Sequence, residues 1–455
     1  MEHLYPRFYK NIKQNNLVCK NDTVISAFSG GKDSITMLLL LERLKEDIPF
    51  ELKAAYYNHR IRPDASEEEE WVDKFFSNLN IELIKGNGNV ITFRLRNKLN
   101  LENAASISRY DFFNKIADKF SQSKIATGHS RSDLTETFFI KLFRGSGLQG
   151  LSGIFGLKGE RIIRPLLLFS KSEILEFLKR SGIEYFTDPT NRSTQFLRNN
   201  IRKNLIPEIE KIEPLIDKHI FRTVSIIQEE FEYFRNRAQT YLKDHLICGK
   251  VLKLEPIHSE PLALRRHIIR EFIRSIKGDL LNIDFDHIEQ LTSPRIDKKG
   301  VSIPGINFAI KKGFLFDLRT SFQEYKYLIR SEGETDIPEI CSSVRIEKES
   351  TFSKPLDIFE IILPAEKLKF PITVRNPENT DKYRKINSKI DQKVHEMIRC
   401  SGIPSEIRNL FPIILNGNNE IISVCGSNIA DSYKVSDMTG NFYRIRLQSP
   451  LAQLL

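Results

Sequence analysis

Two groups of residues near the amino end have the types and spacing to do chemistry. The first is Ser29-Gly30-Gly31-Lys32-Asp33-Ser34, set between the apolar run Val24 to Phe28 and a helix-forming stretch that starts near Ser34. Paired glycines let a backbone turn tightly and approach a ligand, and the free N–H groups of a helix start form an anion site. The chemistry this implies is a phosphate cradle, with the Ser29 and Ser34 hydroxyls and Lys32 adding donors and charge. The loop lacks the four residues that separate the first glycine from Gly-Lys in a Walker loop, which disfavours kinase and GTPase readings. The second group is Asp133 and Glu136, three apart on one face of an expected helix. At that spacing two carboxylates can share a cation or hold an ammonium group.

The elements that must position these groups alternate. Strands are expected at Thr23–Phe28, Glu51–Asn58, Ile81–Lys85 and Lys124–Thr127, and helices at Ser34–Glu46, Asp64–Leu79, Leu101–Phe120 and Ser132–Phe143. Repeated strand and helix units imply a parallel, doubly wound α/β sheet covered on both faces. Asn58 and His59 then end the second strand at the carboxyl edge, where such sheets bind ligands. The acidic run Glu67 to Glu70 reads as the solvated start of a helix rather than a metal cluster, because carboxylates there complement the helix dipole. Gly145-Ser146-Gly147 reads either as a turn that brings backbone close to substrate or as a helix C-cap.

Beyond Ile212 the pattern becomes long and helical, with Ile226, Ile227, Phe231, Tyr233 and Phe234 expected on one buried face. After Leu280 it turns to β-like runs such as Val301–Pro304 and Phe308–Phe316, and the polar stretch Arg319–Lys354 is expected to hold a linker. The tail reads as a small α+β domain with a helix over Lys389–Cys400. Three domains follow: 1–211, 212–355 and 356–455, in keeping with 455 residues. Sixty-nine Lys and Arg against 59 Asp and Glu leave a formal charge of +10, a field that attracts polyanions such as nucleic acid. The five cysteines, Cys19, Cys248, Cys341, Cys400 and Cys425, show no C-x-x-C pair, so zinc and disulfide frameworks are disfavoured and the thiols are expected to be reduced and buried. No apolar run is long enough to span a bilayer and no secretory h-region opens the chain, which places the expected location in the cytoplasm.

The loop Ser29–Ser34 resembles the S-G-G-x-D-S pyrophosphate loop of the N-type ATP pyrophosphatases, a Rossmann-like superfamily that splits ATP between its α and β phosphates. A second block, Ala126-Thr127-Gly128-His129-Ser130-Arg131-Ser132-Asp133-Leu134-Thr135-Glu136-Thr137, runs on into Phe143-Arg144-Gly145-Ser146-Gly147. With Arg109-Tyr110, Arg164-Pro165-Leu166, Asp188-Pro189-Thr190-Asn191 and Arg198-Asn199-Asn200-Ile201-Arg202, these strings resemble the tRNA(Ile)-lysidine synthetase family. The likeness is strong over about residues 20–210 and weaker over Lys393–Val435. The family usually shows G-H-H-A-D-D-Q-A-E-T in the second block, and this chain departs from it at Ser130, Ser132 and Leu134.

The resemblance implies that ATP adenylates O2 of the wobble cytidine in an isoleucine tRNA with anticodon CAU, and that free L-lysine then displaces AMP from C2 to give lysidine. It implies a nucleotide site of Ser29, Gly30, Gly31, Lys32, Asp33, Ser34 and His129, with Asp33 helping to hold Mg2+. Asp33, Asp133 and Glu136 are the expected catalytic residues. Asp133 and Glu136 are to position or deprotonate the lysine, their separate roles open. Arg109, Arg144, Arg164, Arg198 and Arg202 are expected to contact tRNA. A homodimer is compatible with the sequence, which does not fix the oligomeric state. The rivals are a tRNA thiolase of the same superfamily, disfavoured because Cys19 alone precedes residue 200, and a non-catalytic, ATP-gated tRNA-binding protein.

Overall fold

The computed structural model describes residues 4–60, 65–77, 79–159, 161–186, 197–292, 300–425 and 429–451. The chain divides into two compact units, Met1–Glu232 and Tyr233–Leu455. The first is built from α1 (Tyr5–Gln14), β1 (Thr23–Phe28), α2 (Lys32–Leu44), β2 (Glu51–Asn58), α3 (Ala65–Phe76), β3 (Glu82–Asn87), α4 (Val90–Asn97), α5 (Leu101–Ala117), β4 (Ser123–Ala126) and α6 (Arg131–Phe143). It continues through α7 (Leu148–Leu151), β5 (Leu157–Lys158), β6 (Ile162–Ile163), α8 (Lys171–Arg180), α9 (Leu197–Asn200), a π-helical turn at Ile201–Leu205, α10 (Ile206–Ile212) and the start of α11 (Ile216–His245).

The strands form one sheet in the order β3-β2-β1-β4-β6-β5, parallel except for the edge strand β5. β1 is buried along nearly its whole length, as a central parallel strand covered on both faces must be. One face packs under Phe8, Ile35, Leu38, Val72, Ile174 and Leu178, the other under Phe113, Ile116 and Ala117. The strand order reverses at β1, with β2 on one side and β4 on the other. The crevice beyond the carboxyl ends of β1 and β4 is therefore the expected ligand site of this doubly wound fold.

The expected elements are present with ends shifted by a few residues, and several helices were not foreseen, α1, α4 and α8 among them. α4 is short and carries Arg94 and Arg96, so no apolar period marks it. Its start is fixed instead by Asn89, whose side chain accepts the Thr92 N–H at 3.0 Å. Glu67 and Glu70 are exposed, while Glu69 accepts a hydrogen bond from Asn58 Nδ2 at 2.5 Å. The expected helix start at Asp64 and the block Asp188–Asn191 lie outside the described residues.

α11 corrects the reading of its buried face. Ile220, Val224 and Phe231 are buried, but Ile226 is 52% and Tyr233 62% exposed. Each lies two residues, or about 200° of helix rotation, beyond a buried neighbour. In the second unit Leu262–Lys277 is helical, and Phe308–Phe316 is not one run but a hairpin of Ile306–Lys311 and Phe314–Asp317. Arg319–Lys354 contains the strands Lys326–Ile329, Gly333–Ile337 and Ser342–Glu349. Charged residues of these strands, such as Lys326, Glu334, Asp336, Arg345, Glu347 and Lys348, are exposed and give the stretch its linker-like composition. The tail helix is shorter than expected, Val394–Cys400, because Gln392–Lys393 pairs with Lys382–Tyr383. Cys425 is buried, whereas Cys19, Cys341 and Cys400 are exposed at turns or an element end. No helix among the described residues is long and apolar enough to cross a membrane.

Candidate functional site

The glycine loop leaves β1 and enters α2 at the crevice. Gly30 takes φ +68°, a conformation that side chains other than glycine strain to adopt. Ser34 Oγ donates to the Gly31 carbonyl at 2.8 Å and accepts the Ser29 N–H at 3.2 Å, which closes the turn. Gly31 caps α2 without any side-chain bond, and the N–H groups of Gly31, Lys32 and Asp33 reach no acceptor among the described residues. These amides at a helix start form the phosphate cradle that the spacing predicts. Across the crevice Gly128 touches the loop directly. A Cβ there would lie 3.2 Å from the Asp33 carbonyl carbon, closer than ordinary van der Waals contact, so any larger residue would have to push the loop back by a few tenths of an ångström.

Asp33 faces the crevice without a counter-ion bonded to it. Its Oδ1 is buried and unpartnered, and burial, reinforced by the Asp133 charge, pushes its pKa up to about 6. An orphaned carboxylate oxygen beside a phosphate cradle fits a divalent cation, which takes oxygen ligands from carboxylate, phosphate and water. Among the described residues no cluster of three His, Cys, Asp or Glu side chains could hold a metal by itself.

Asp133 and Glu136 are the opposite case. Ser130, the N-cap of α6, forms a capping box with Asp133: Asp133 Oδ2 accepts the Ser130 N–H at 2.9 Å and the Ser130 hydroxyl at 2.7 Å. On the other side Lys171 Nζ stands 2.9 Å from both Asp133 Oδ1 and Glu136 Oε1. Arg198 reaches Glu136 at 2.8 Å and Asp133 at 3.2 Å. Arg202 grips Glu136 with two nitrogens, at 2.5 and 2.9 Å. Arg202 lies in the π-helical turn, and the i,i+4 spacing from Arg198 aims both guanidinium groups at one carboxylate. Glu136 is 1% exposed. Burial alone would raise both carboxyl pKa values, but the surrounding cations and hydrogen bonds outweigh it and hold both below the ordinary carboxylate range.

Lys171 was not foreseen from sequence. It is the first residue of α8, behind the capping box of Ser170 and Glu173, and that S-x-x-E spacing is the one sequence signal that marks it. Its backbone N–H donates to Ser132 Oγ at 3.2 Å. The three departures in the second block thus have structural places: Ser130 caps α6, Ser132 anchors α8, and Leu134 packs against Ile220 and Val224. α6 is held from behind by Arg131, which bonds Asp217 at 2.8 Å, the Leu168 carbonyl at 2.7 Å and Glu173 at 3.1 Å.

The remaining expected residues divide. His129 lines the crevice with its Nδ1 3.0 Å from Thr127 Oγ1, and burial together with Arg164 pushes its pKa down to about 4. His59, at the end of β2, is likewise lowered to about 4 by burial and Arg109. Both rings are neutral at pH 7. Arg164 is only 7% exposed, donates to the Phe155 carbonyl at 2.6 Å and keeps a buried, unpartnered Nε. Arg109 is half-buried and Arg144 is exposed. Of the five arginines, Arg144 alone is both fully exposed and without a side-chain bond to the described residues. Gly145, at φ +65°, follows the α6 C-cap, as the cap reading requires. Cys19 precedes β1 and so lies at the end of the strand away from the loop, about 20 Å off for six strand residues.

A glycine cradle at the reversal point of a parallel sheet, facing a second helix start, defines a nucleotide-binding α/β domain. Residues 4–209 match the PP-loop domain family, whose members use ATP. Along nearly its whole length the chain aligns with tRNA(Ile)-lysidine synthases. That of Clostridium tetani is 28% identical, covering 96% of this chain and 97% of the relative, and that of Dehalococcoides mccartyi is 28% identical over 98% and 99%. That of Thermosipho africanus is 35% identical over 60% of this chain and 64% of the relative. Residues 4–209 thus match the PP-loop domain, and the chain as a whole is similar to tRNA(Ile)-lysidine synthases over nearly its full length.

Proposed function

We infer that the protein ligates lysine to C2 of the wobble cytidine in a CAU-anticodon isoleucine tRNA. Cytidine O2 attacks the α phosphorus of ATP and pyrophosphate leaves. The ε-amine of free L-lysine then attacks C2, and AMP departs carrying the former O2. Adenylation is needed because the oxygen alone is a poor leaving group. The observation that carries this reading is a carboxylate pair that already grips an ammonium group beside a loop built to grip phosphates.

The amides of Gly31, Lys32 and Asp33, with the Lys32 ammonium and the serine hydroxyls, take the β and γ phosphates. Asp33 would hold a magnesium ion, which would offset the charge of the phosphates. His129, neutral, offers a hydrogen bond to the nucleotide. Asp133 and Glu136 hold and aim the amine rather than deprotonate it. Both carboxyl pKa values are held below the ordinary carboxylate range, so proton transfer to them from an ammonium runs far uphill, and the proton that the amine sheds before it attacks C2 goes to solvent. Arg198 and Arg202, first read as tRNA contacts, brace these carboxylates, and buried Arg164 suits an anion delivered into the crevice. Arg109 and Arg144 remain the candidates for tRNA contact. The three-domain division is retained as a proposal, with 356–455 supplying tRNA affinity, a homodimer as the quaternary expectation and the cytoplasm as its location. Cys19, the one cysteine of the first unit, lies at the far end of β1 from the loop, which disfavours sulfur transfer.

The test incubates the protein with ATP, magnesium, labelled lysine and two tRNAs that differ only in cytidine or uridine at the wobble position. Label should enter only the cytidine form. Label in neither, with tRNA binding retained, would replace this reading with the non-catalytic one.

A further inference from the structure

Around Asp133 and Glu136 the charges do not balance. Two carboxylates face three cations, and Arg198 with Arg202 would neutralise the pair alone. Lys171 is the surplus. Its ammonium sits symmetrically, 2.9 Å from one oxygen of each carboxylate, which is where the ammonium of a free lysine would have to sit to use the same pair. Lys171 therefore occupies the amine subsite with a chemically identical group.

Its backbone is fixed. The residue follows a capping box and donates its N–H to Ser132 Oγ, so only the four-carbon side chain is free to swing. It also stands within electrostatic reach of the loop, since its charge acts on both Lys32 and Asp33. A triphosphate in the cradle brings several negative charges to that side, and a strongly hydrated, flexible point charge such as an ammonium follows them more readily than the two planar guanidinium forks.

We propose that Lys171 is an internal stand-in for the substrate amine, which leaves Asp133 and Glu136 for the phosphates when ATP binds and so makes lysine binding depend on nucleotide. This rests on the lysine-ligating reading above. The arginines stay behind and keep the vacated carboxylates neutral, and an incoming lysine restores the charge pattern now seen. The order of addition follows: nucleotide first, lysine second, which prevents the enzyme from holding lysine idle. By linkage, lysine must raise nucleotide affinity by the same factor.

Equilibrium dialysis of labelled L-lysine on the full chain, with and without magnesium and α,β-methylene-ATP, measures the coupling. In the wild type the analogue should tighten lysine binding by roughly tenfold or more, a coupling in the usual range. Lys171→Met should bind lysine without nucleotide and lose the coupling, with weaker binding of the analogue, and Lys171→Arg should behave between the two. Wild-type lysine affinity that ignores the analogue would overturn the proposal without recourse to any variant, as would equal coupling in Lys171→Met. Lysidine formation by the same preparation on the cytidine tRNA separates the two readings. If it proceeds while the coupling is absent, only the gate falls; if no lysidine forms and no lysine binds, both fall.

Discussion

The crevice contains two kinds of buried carboxylate, and they are handled in opposite ways. Asp33 on the glycine loop has an oxygen with no partner and is pushed toward its neutral form. Asp133 and Glu136, one helix away, are crowded by more cations than they can neutralise. The first arrangement stores an unfavourable charge that a bound cation relieves. The second presents a ready site for a cation and fills it from the protein's own chain. The difference separates a place that waits for a metal-bound phosphate from one that waits for an amine.

Charge deletions break this comparison most sharply. Glu136→Gln leaves three cations around a single carboxylate and should destabilise the protein by about 3–5 kcal/mol, read from urea unfolding, with lysidine formation lost. Asp33→Asn should do the reverse. A carboxyl with a folded pKa near 6, above its ordinary 3.8, destabilises the fold when ionised. That penalty is present above pH 6 and fades as pH falls toward 4. At pH 7.5 the variant should therefore gain up to about 3 kcal/mol in the absence of nucleotide, the gain vanishing near pH 4, while AMP production is lost. Near-normal turnover in Asp33→Asn would remove this residue from the ATP site.

Smaller effects sharpen the contrast. Both histidines at the crevice titrate near pH 4, so their ring resonances followed by NMR should stay in the neutral form from pH 5.5 to 8. A charge change near pH 6.5 would show that His129 is more open to water than its surroundings allow. Removing residues 356–455 should weaken tRNA binding more than ATP binding. Arg144→Ala, which deletes an exposed guanidinium, should lower tRNA affinity only a few-fold and reduce its salt dependence by about one ion, leaving ATP affinity unchanged.

The crevice was legible where local pattern and chemistry coincide. The glycine loop needs two glycines and a following helix, all within one short string, and β1 and α2 announce themselves by apolar runs. Asp133 and Glu136 share a helix face, so their partnership follows from spacing alone. Three exposed cysteines and the outward-facing Ile226 and Tyr233 show the limit of the same reasoning, because burial depends on which neighbours arrive and not on residue type.

What the amino-acid string determined by itself was therefore the order of strands and helices, the phosphate cradle and the carboxylate pair, since each is set by neighbours within about one helical turn. Tertiary structure alone decided which cations meet those carboxylates. Lys171, Arg198 and Arg202 lie 35 to 66 residues from Glu136, and their hydrogen bonds to it exist only because α8, α9 and the π-helical turn fold back onto α6. Coulomb interactions act through space, so no sequence spacing encodes them; the packing that brings the elements together also fixes which acid is orphaned and which is crowded.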